Sequence, residues 1–203
     1  MARTPALIAV VITAFLCASC TTAGSPSSTP PPAVTPSTNI TSTSPSATPT
    51  PTWSAEQAAA IRAVDGYRAA SDQIGANPSG YTEAQMRATL EKWAGPEVVK
   101  SNVASFLSLK KRGFRYDIHT TVLTTKASRA SDVGYGTEVV VTRCIDQRPA
   151  RVLDKSGDEV SEAELGYRVS EYLLRQYTAQ KRASDGGFRV YGLAPTKGEC
   201  GPS

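Results

Sequence analysis

A single histidine, His119, occurs in the whole chain, and one imidazole cannot complete a zinc site. Gly-x-Ser-x-Gly, the P-loop and His-Glu-x-x-His are also missing, so no nucleophile elbow, phosphate-cradling loop or helical metalloprotease site is written in the sequence. Long apolar runs are missing too. Ala6–Leu16 (ALIAVVITAFL) is the longest of note and falls well short of the about 20 apolar residues that span a bilayer. No charged residue lies between Thr21 and Thr52, and no nucleic-acid recognition motif appears anywhere. These absences leave no support for a reaction, a cofactor, a metal or a nucleic-acid partner.

What is present begins at the N-terminus. Arg3, the apolar run and Leu16-Cys17-Ala18-Ser19-Cys20 follow the order of an export signal: positive region, hydrophobic region, small residues before the processing point. This pattern resembles the lipobox of bacterial lipoproteins, in which a cysteine thiol is diacylated and becomes the new N-terminus. The resemblance implies a signal peptide over 1–19 and Cys20 as the acylated residue. It also implies an extracytoplasmic domain lipid-anchored to the outer face of the cell membrane. Two acyl chains on one residue supply the double signal that stable anchoring needs. Cys17 departs from the pattern, standing where Leu is usual, with Leu16 one step back; Phe15 and Leu16 make Cys17 itself a poor acceptor. The alternative is an ordinary secretory signal cleaved near Ala18 or Ala23.

Residues 20–52 are then a tether. Almost all Ser, Thr, Pro and Ala, they offer too little apolar surface to offset the entropy of ordering, so disorder is expected. Prolines 30–32, 36, 45, 49 and 51 favour polyproline II, giving a ceiling of roughly 100 Å at full extension against about 30 Å for a flexible coil. Of the four cysteines, removal of Cys17 and acylation of Cys20 leave Cys144 and Cys200. In an oxidising compartment a disulfide is their default, closing a loop of about 55 residues worth roughly 4 kcal/mol in the chain-entropy model; a redox pair or metal site is the other reading. Net charge is +4 and spread out, apart from Lys110-Lys111-Arg112. That run suits a helix C-terminus, or contact with anionic lipid or wall polymer.

Residues 53–203 form one domain by length, with a helical front and a strand-rich back. Capping boxes at Ser54–Gln57 and Thr82–Gln85 open two helices. Ile61, Val64, Tyr67 and Ile74 stripe the first, and Met86, Leu90 and Trp93 the second. Gly95-Pro96 starts a third, carrying Val99, Val103, Phe106 and Leu107 and closed by Gly113. From Phe114 the period becomes two. Phe114, Tyr116, Ile118 and Val122 share one face of an expected strand, and Arg115, Asp117, His119 and Leu123 the other. Ala127–Asp132 is expected as a turn, and Val133–Asp146 as a strand with Tyr135, Val139 and Val141 on one face. A hairpin-like turn is expected at Asp154–Gly157, a strand over Tyr167–Lys181 with Val169, Leu173 and Tyr177 together, and a last strand over Phe188–Leu193. The order implies α+β: three N-terminal helices packed on a curved antiparallel sheet.

The helix-helix-helix-then-sheet order, with Val139–Asp146 and the late Gly198-Glu199-Cys200, resembles the nuclear transport factor 2-like (cystatin-like) cone. More narrowly it resembles secreted or lipid-anchored members from high-GC Gram-positive bacteria and their phages. The resemblance implies a pocket between sheet and helices, used by some members for small-molecule enzymology and by many for binding alone. Three functions follow as expectations. The first is a non-catalytic module for an unknown protein, wall or lipid partner. The second is an isomerase- or dehydratase-like enzyme using Asp117 and His119, with Tyr116 beside them as a donor. The third, implied only by the phage members, is a superinfection-blocking lipoprotein. Asp117 two residues from His119 on one face would orient and raise the imidazole as a general base; if the aromatic face lines the core, His119 faces solvent. The other tyrosines, 67, 135, 167, 172, 177 and 191, suit a pocket wall or ordinary strand packing. The acidic stretch Asp154, Asp158, Glu159, Glu162 and Glu164 lacks EF-hand spacing and is expected to be a solvated loop.

Overall fold

A computed structural model describes residues 52–165, 172–196 and Cys200. The export signal, Cys20, the tether up to Pro51, Tyr167, Val169 and Gly198-Glu199 lie outside the described residues. The chain divides into units Met1–Thr48 and Pro49–Ser203, and all described residues belong to the second.

Both capping boxes form. The Ser54 N–H donates to Gln57 Oε1 at 2.8 Å and Ser54 Oγ accepts from the Gln57 N–H at 3.3 Å, opening α1 (Ala55–Ala76). Thr82 and Gln85 repeat the exchange at 2.8 and 3.2 Å to open α2 (Glu83–Leu90). Each satisfies two amide groups that the first helical turn otherwise leaves unpaired. A 3-10 turn over Pro78–Gly80 separates them. Helix α2 stops at Leu90, so Trp93 sits in the turn beyond it and is 37% exposed, not on a helical stripe. Pro96 begins α3 (Pro96–Arg112), and Gly113, at φ 73°, ends it in the left-handed region that glycine alone enters without cost. Two cations of the Lys110–Arg112 run have specific partners: Lys110 Nζ donates to the Tyr81 carbonyl at 2.7 Å. The Arg112 guanidinium donates to the Glu164 carbonyl at 3.1 Å and lies 4.3 Å over the Phe114 ring.

The strands are β1 (Arg115–Asp117), β2 (Thr121–Ala127), β3 (Ser131–Asp132), β4 (Gly136–Asp146), β5 (Arg151–Leu153), β6 (Tyr172–Arg182) and β7 (Arg189–Pro195). An antiparallel sheet runs β2-β4-β6-β7, with β3 pairing the same edge of β4 as β2 does; β1 and β5 make a separate two-stranded sheet. The single strand expected over Phe114–Leu123 is therefore two strands in two sheets, because β1 pairs with β5 while β2 pairs with β4. The expected turn at Ala127–Asp132 holds β3. Val133–Tyr135 precede β4 rather than beginning it, and Tyr135 is 53% exposed, with Arg182 stacked on its ring at 5.1 Å, instead of sharing the Val139 face. Nor do all helices precede the sheet: α4 (Glu162–Leu165) lies between β5 and β6. It begins where Ser161 Oγ accepts from the Glu164 N–H and is pinned by buried Leu165.

The architecture is α+β. Helix α1 lies over β4, β6 and β7, and α3 packs on α1, α2 and β7. The inward positions of the sheet run in cross-strand rows: Val139 with Ala179 and Val190, Val141 with Tyr177, Arg143 with Arg175, Ile145 with Leu173. Behind this face Cys144 is bonded to Cys200, with Cα atoms 5.4 Å apart and a sequence separation of 56. Among the described residues no helix is long and apolar enough to cross a membrane.

Candidate functional site

The arginine row is where the core stops being apolar. A cavity of about 160 Å³ opens there. Helix α1 contributes Tyr67, Arg68, Ser71 and Asp72, two adjacent i, i+4 pairs. Asn102 comes from α3; Arg175 and Tyr177 come from the inward face of β6. Tyr116, Ile118 and Thr120 close one side from β1 and the loop after it, and Ala150 and Arg151 another. Gly75 makes that closure possible: a Cβ there would stand 2.6 Å from the Tyr116 ring, so only glycine lets β1 lie this close to α1.

The polar groups are held in place. The Tyr67 hydroxyl donates to Asn102 Oδ1 at 3.1 Å, and Asn102 Nδ2 donates to the Val98 carbonyl at 2.8 Å, which fixes the amide. The Tyr67 ring meets Tyr177 edge-on, with centroids 6.4 Å apart. The Arg68 guanidinium donates to Thr120 Oγ1 at 2.9 Å. Arg151 is committed elsewhere, to Glu159 at 3.2 Å and to the carbonyls of Arg148 and Ala150. Burial pushes the Tyr67 phenol up, against the opposing pull of the nearby Ser71 hydroxyl, the Asn102 hydrogen bond and the positive charge of Arg175. Ser71 Oγ is near enough to act on that phenol, yet it is buried and meets no partner at hydrogen-bonding geometry. Burial likewise raises the Asp72 carboxyl, with the Arg68 charge drawing it back.

Arg143 and Arg175 face each other across β4 and β6. Arg143, only 4% exposed, reaches Asp65 on α1 at 2.7 Å. Among the described residues no carboxylate lies within ion-pairing distance of Arg175.

Asp117 and His119 form a pair, with His119 Nε2 3.2 Å from Asp117 Oδ1, but their side chains are 45% and 69% exposed and neither lines the cavity. Asp117 ends β1, and His119 lies in the loop after it rather than on the same strand. Tyr116, one residue away on the alternate face, is the candidate that does enter the cavity wall. The front of the acidic stretch is a turn, in which Asp154 Oδ1 accepts from Ser156 Oγ at 2.7 Å and from the N–H groups of Ser156, Gly157 and Asp158; Glu162 and Glu164 stand not in the expected loop but in α4. Those bonds, that of Ser156 first, hold its carboxyl below the usual range. Among the described residues no three His, Cys, Asp or Glu side chains are grouped to hold a metal ion.

Sequence reasoning missed Arg68, Ser71, Asp72, Asn102 and Arg175. A signal for one of them was present: Leu173, Arg175 and Tyr177 alternate, which puts an arginine at an inward strand position.

No protein-family model and no curated protein matches the chain. Among solved structures, the chain is similar to the intermembrane space region of the chloroplast protein ARC6, with 13% identity over 71% of this chain and 98% of that one and a TM-score of 0.47. It is also similar to a de novo designed β-sheet protein, with 18% identity over 70% and 90% of the two chains and a TM-score of 0.31; neither likeness is close enough to carry an argument about function.

Proposed function

We propose that this chain is a bacterial lipoprotein, processed before Cys20 and anchored by the diacylated cysteine to the outer face of the cell membrane. Its domain, residues 53–203, is a non-catalytic binding module of the nuclear transport factor 2-like type. The lipobox-like Leu16–Cys20 and the charge-free tether support the anchor; helices on one face of an antiparallel sheet, enclosing a cavity, support the fold family. The observation that carries a binding role is the cavity wall itself. It is made of phenols, guanidiniums, amides, hydroxyls and a single carboxylate, Asp72, to which the Ser71 hydroxyl makes no hydrogen bond. The one Asp–His pair stands outside it in solvent. Such a wall orients and holds a ligand, and among the described residues no hydrogen-bonded nucleophile–base pair is built into it.

Radiolabelled palmitate feeding and membrane fractionation test the anchor. The wild-type chain should carry label and sediment with membranes, and Cys20→Ser should lose both; an unlabelled wild-type chain overturns lipidation. For the module, binding of a ligand that survives Asp117→Asn and His119→Ala is expected. A turnover that either substitution abolishes would restore the enzyme reading.

A further inference from the structure

We infer that the cavity takes a small ring-bearing carboxylate, the carboxylate held by Arg175 with Arg68 and the ring lying among Tyr67, Tyr116 and Tyr177. This rests on the reading of the cavity as a binding site and is independent of the lipid anchor.

Charge comes first. Like charges directly opposite on neighbouring strands destabilise a sheet, and Arg143 and Arg175 are such a pair. Asp65 answers Arg143. Arg175, on the cavity wall, has no carboxylate of the described residues to answer it, and Arg68 across the cavity uses one arm on Thr120. A carboxylate presents two oxygens that match the planar fork of a guanidinium.

Size and wall chemistry narrow the rest. A volume of about 160 Å³ is close to the roughly 150 Å³ apolar cavity that accepts one benzene ring, so a single ring is what it can enclose. Three tyrosine rings, Ile118 and Ala150 give that ring apolar contact, which a bare phosphate would leave unused. Ser71 Oγ, buried and unpartnered, offers a hydroxyl to the second carboxylate oxygen. Asp72 is the one group that opposes an anion, so its removal should help.

Calorimetric titration of the full-length chain, purified in detergent, tests this with benzoate as probe and benzyl alcohol and inorganic phosphate as comparators. Benzoate should bind, and benzyl alcohol should bind weaker by roughly tenfold or more, the loss of a charge-assisted bond. Arg175→Gln should weaken benzoate by a similar factor, Asp72→Asn should tighten it, and Arg87→Gln, on a distant exposed helix face, should change nothing. Should Arg175→Gln fail to fold, Ser71→Ala must weaken benzoate severalfold. The inference is overturned if benzoate does not bind, if Arg175→Gln or its Ser71→Ala substitute binds it as the wild type does, or if phosphate binds as well as benzoate. Neutral rings that bind, and are blocked by Ser71→Trp, would overturn the carboxylate while leaving the binding module; if neither they nor benzoate binds, both readings fall.

Discussion

Two stretches of the same sheet face behave differently. At the Val139–Ala179–Val190 row and the Val141–Tyr177 row, every side chain is buried to 1% exposure or less beneath the helices. One row further along the same strands the pair is Arg143 and Arg175, and the helices no longer fill the space above it. Alternation, strand pairing and covering helix α1 are common to both. The side chains differ: the Val139 row closes against α1 and Tyr177 stands at the cavity edge, whereas Arg143 is buried on Asp65 and Arg175 lines the open space. The reverse face compensates, because the only disulfide among the described residues attaches at Cys144, the residue between Arg143 and Ile145. At the polar row a covalent bond pins the strand from behind.

Removing that bond is the strongest way to break the comparison. The double substitution Cys144→Ser, Cys200→Ser opens a loop with 56 residues of separation and should cost about 4 kcal/mol in chain entropy, read by chemical denaturation. Hydrogen exchange should then rise first in the 143–146 and 172–175 segments and last at Val139 and Ala179. Uniform acceleration along β4 would mean that the disulfide supports the whole sheet and not its polar row.

The second test sets the two rows against each other. Val139→Ala removes fully buried methyl groups and should cost about 2 kcal/mol. Arg175→Met, two rows along, removes a charge held opposite another charge, and should be neutral or stabilising by up to about 1 kcal/mol. Thermal melts of the two variants should shift in unequal or opposite directions. Equal losses would show that Arg175 is as much a core residue as Val139.

How much of this was legible depends on how far apart the decisive residues are. The Ser54 and Thr82 capping boxes and the Gly113 stop were readable because each is settled by contiguous residues. Val139, Val141 and Tyr177 were readable because a period of two survives tertiary packing. The break at Ile118–Thr120 was not: the alternation from Phe114 to Leu123 is continuous, and only the choice of β5 as partner for one part and β4 for the other divides it. Tyr135 failed for the same reason, since a turn placed before Gly136 takes it out of the strand. The cavity was half legible. Arg175 could be assigned to an inward position, but its neighbours Tyr67, Ser71 and Asp72 belong to a helix a hundred residues earlier, and no local rule says which helix face covers which row. Asp117 and His119 drew attention as a titratable pair, and nearness in sequence gave them each other without giving them a cavity.

The smallest effect expected is also the one that separates the two aspartates of α1. Burial raises the Asp72 carboxyl in the folded protein, so the folded state holds that proton more tightly than the unfolded chain. Stability contributed by the protonated form is present below the ordinary carboxylate range, near pH 4. It is lost as pH rises through the raised value and stays lost at neutral pH. Asp72→Asn, which keeps the shape without the charge, should therefore match the wild type at about pH 3 and exceed it at pH 7. The gain should be under about 1 kcal/mol, because Asp72 is half-buried and Arg68 offsets part of the cost. Asp65→Asn should do the reverse at pH 7, since it strips the partner from Arg143, a charge that stays buried. If both substitutions moved the denaturation midpoint the same way, the Arg143 row and the cavity would be one electrostatic unit, and Arg175 would already have its counterion within the protein.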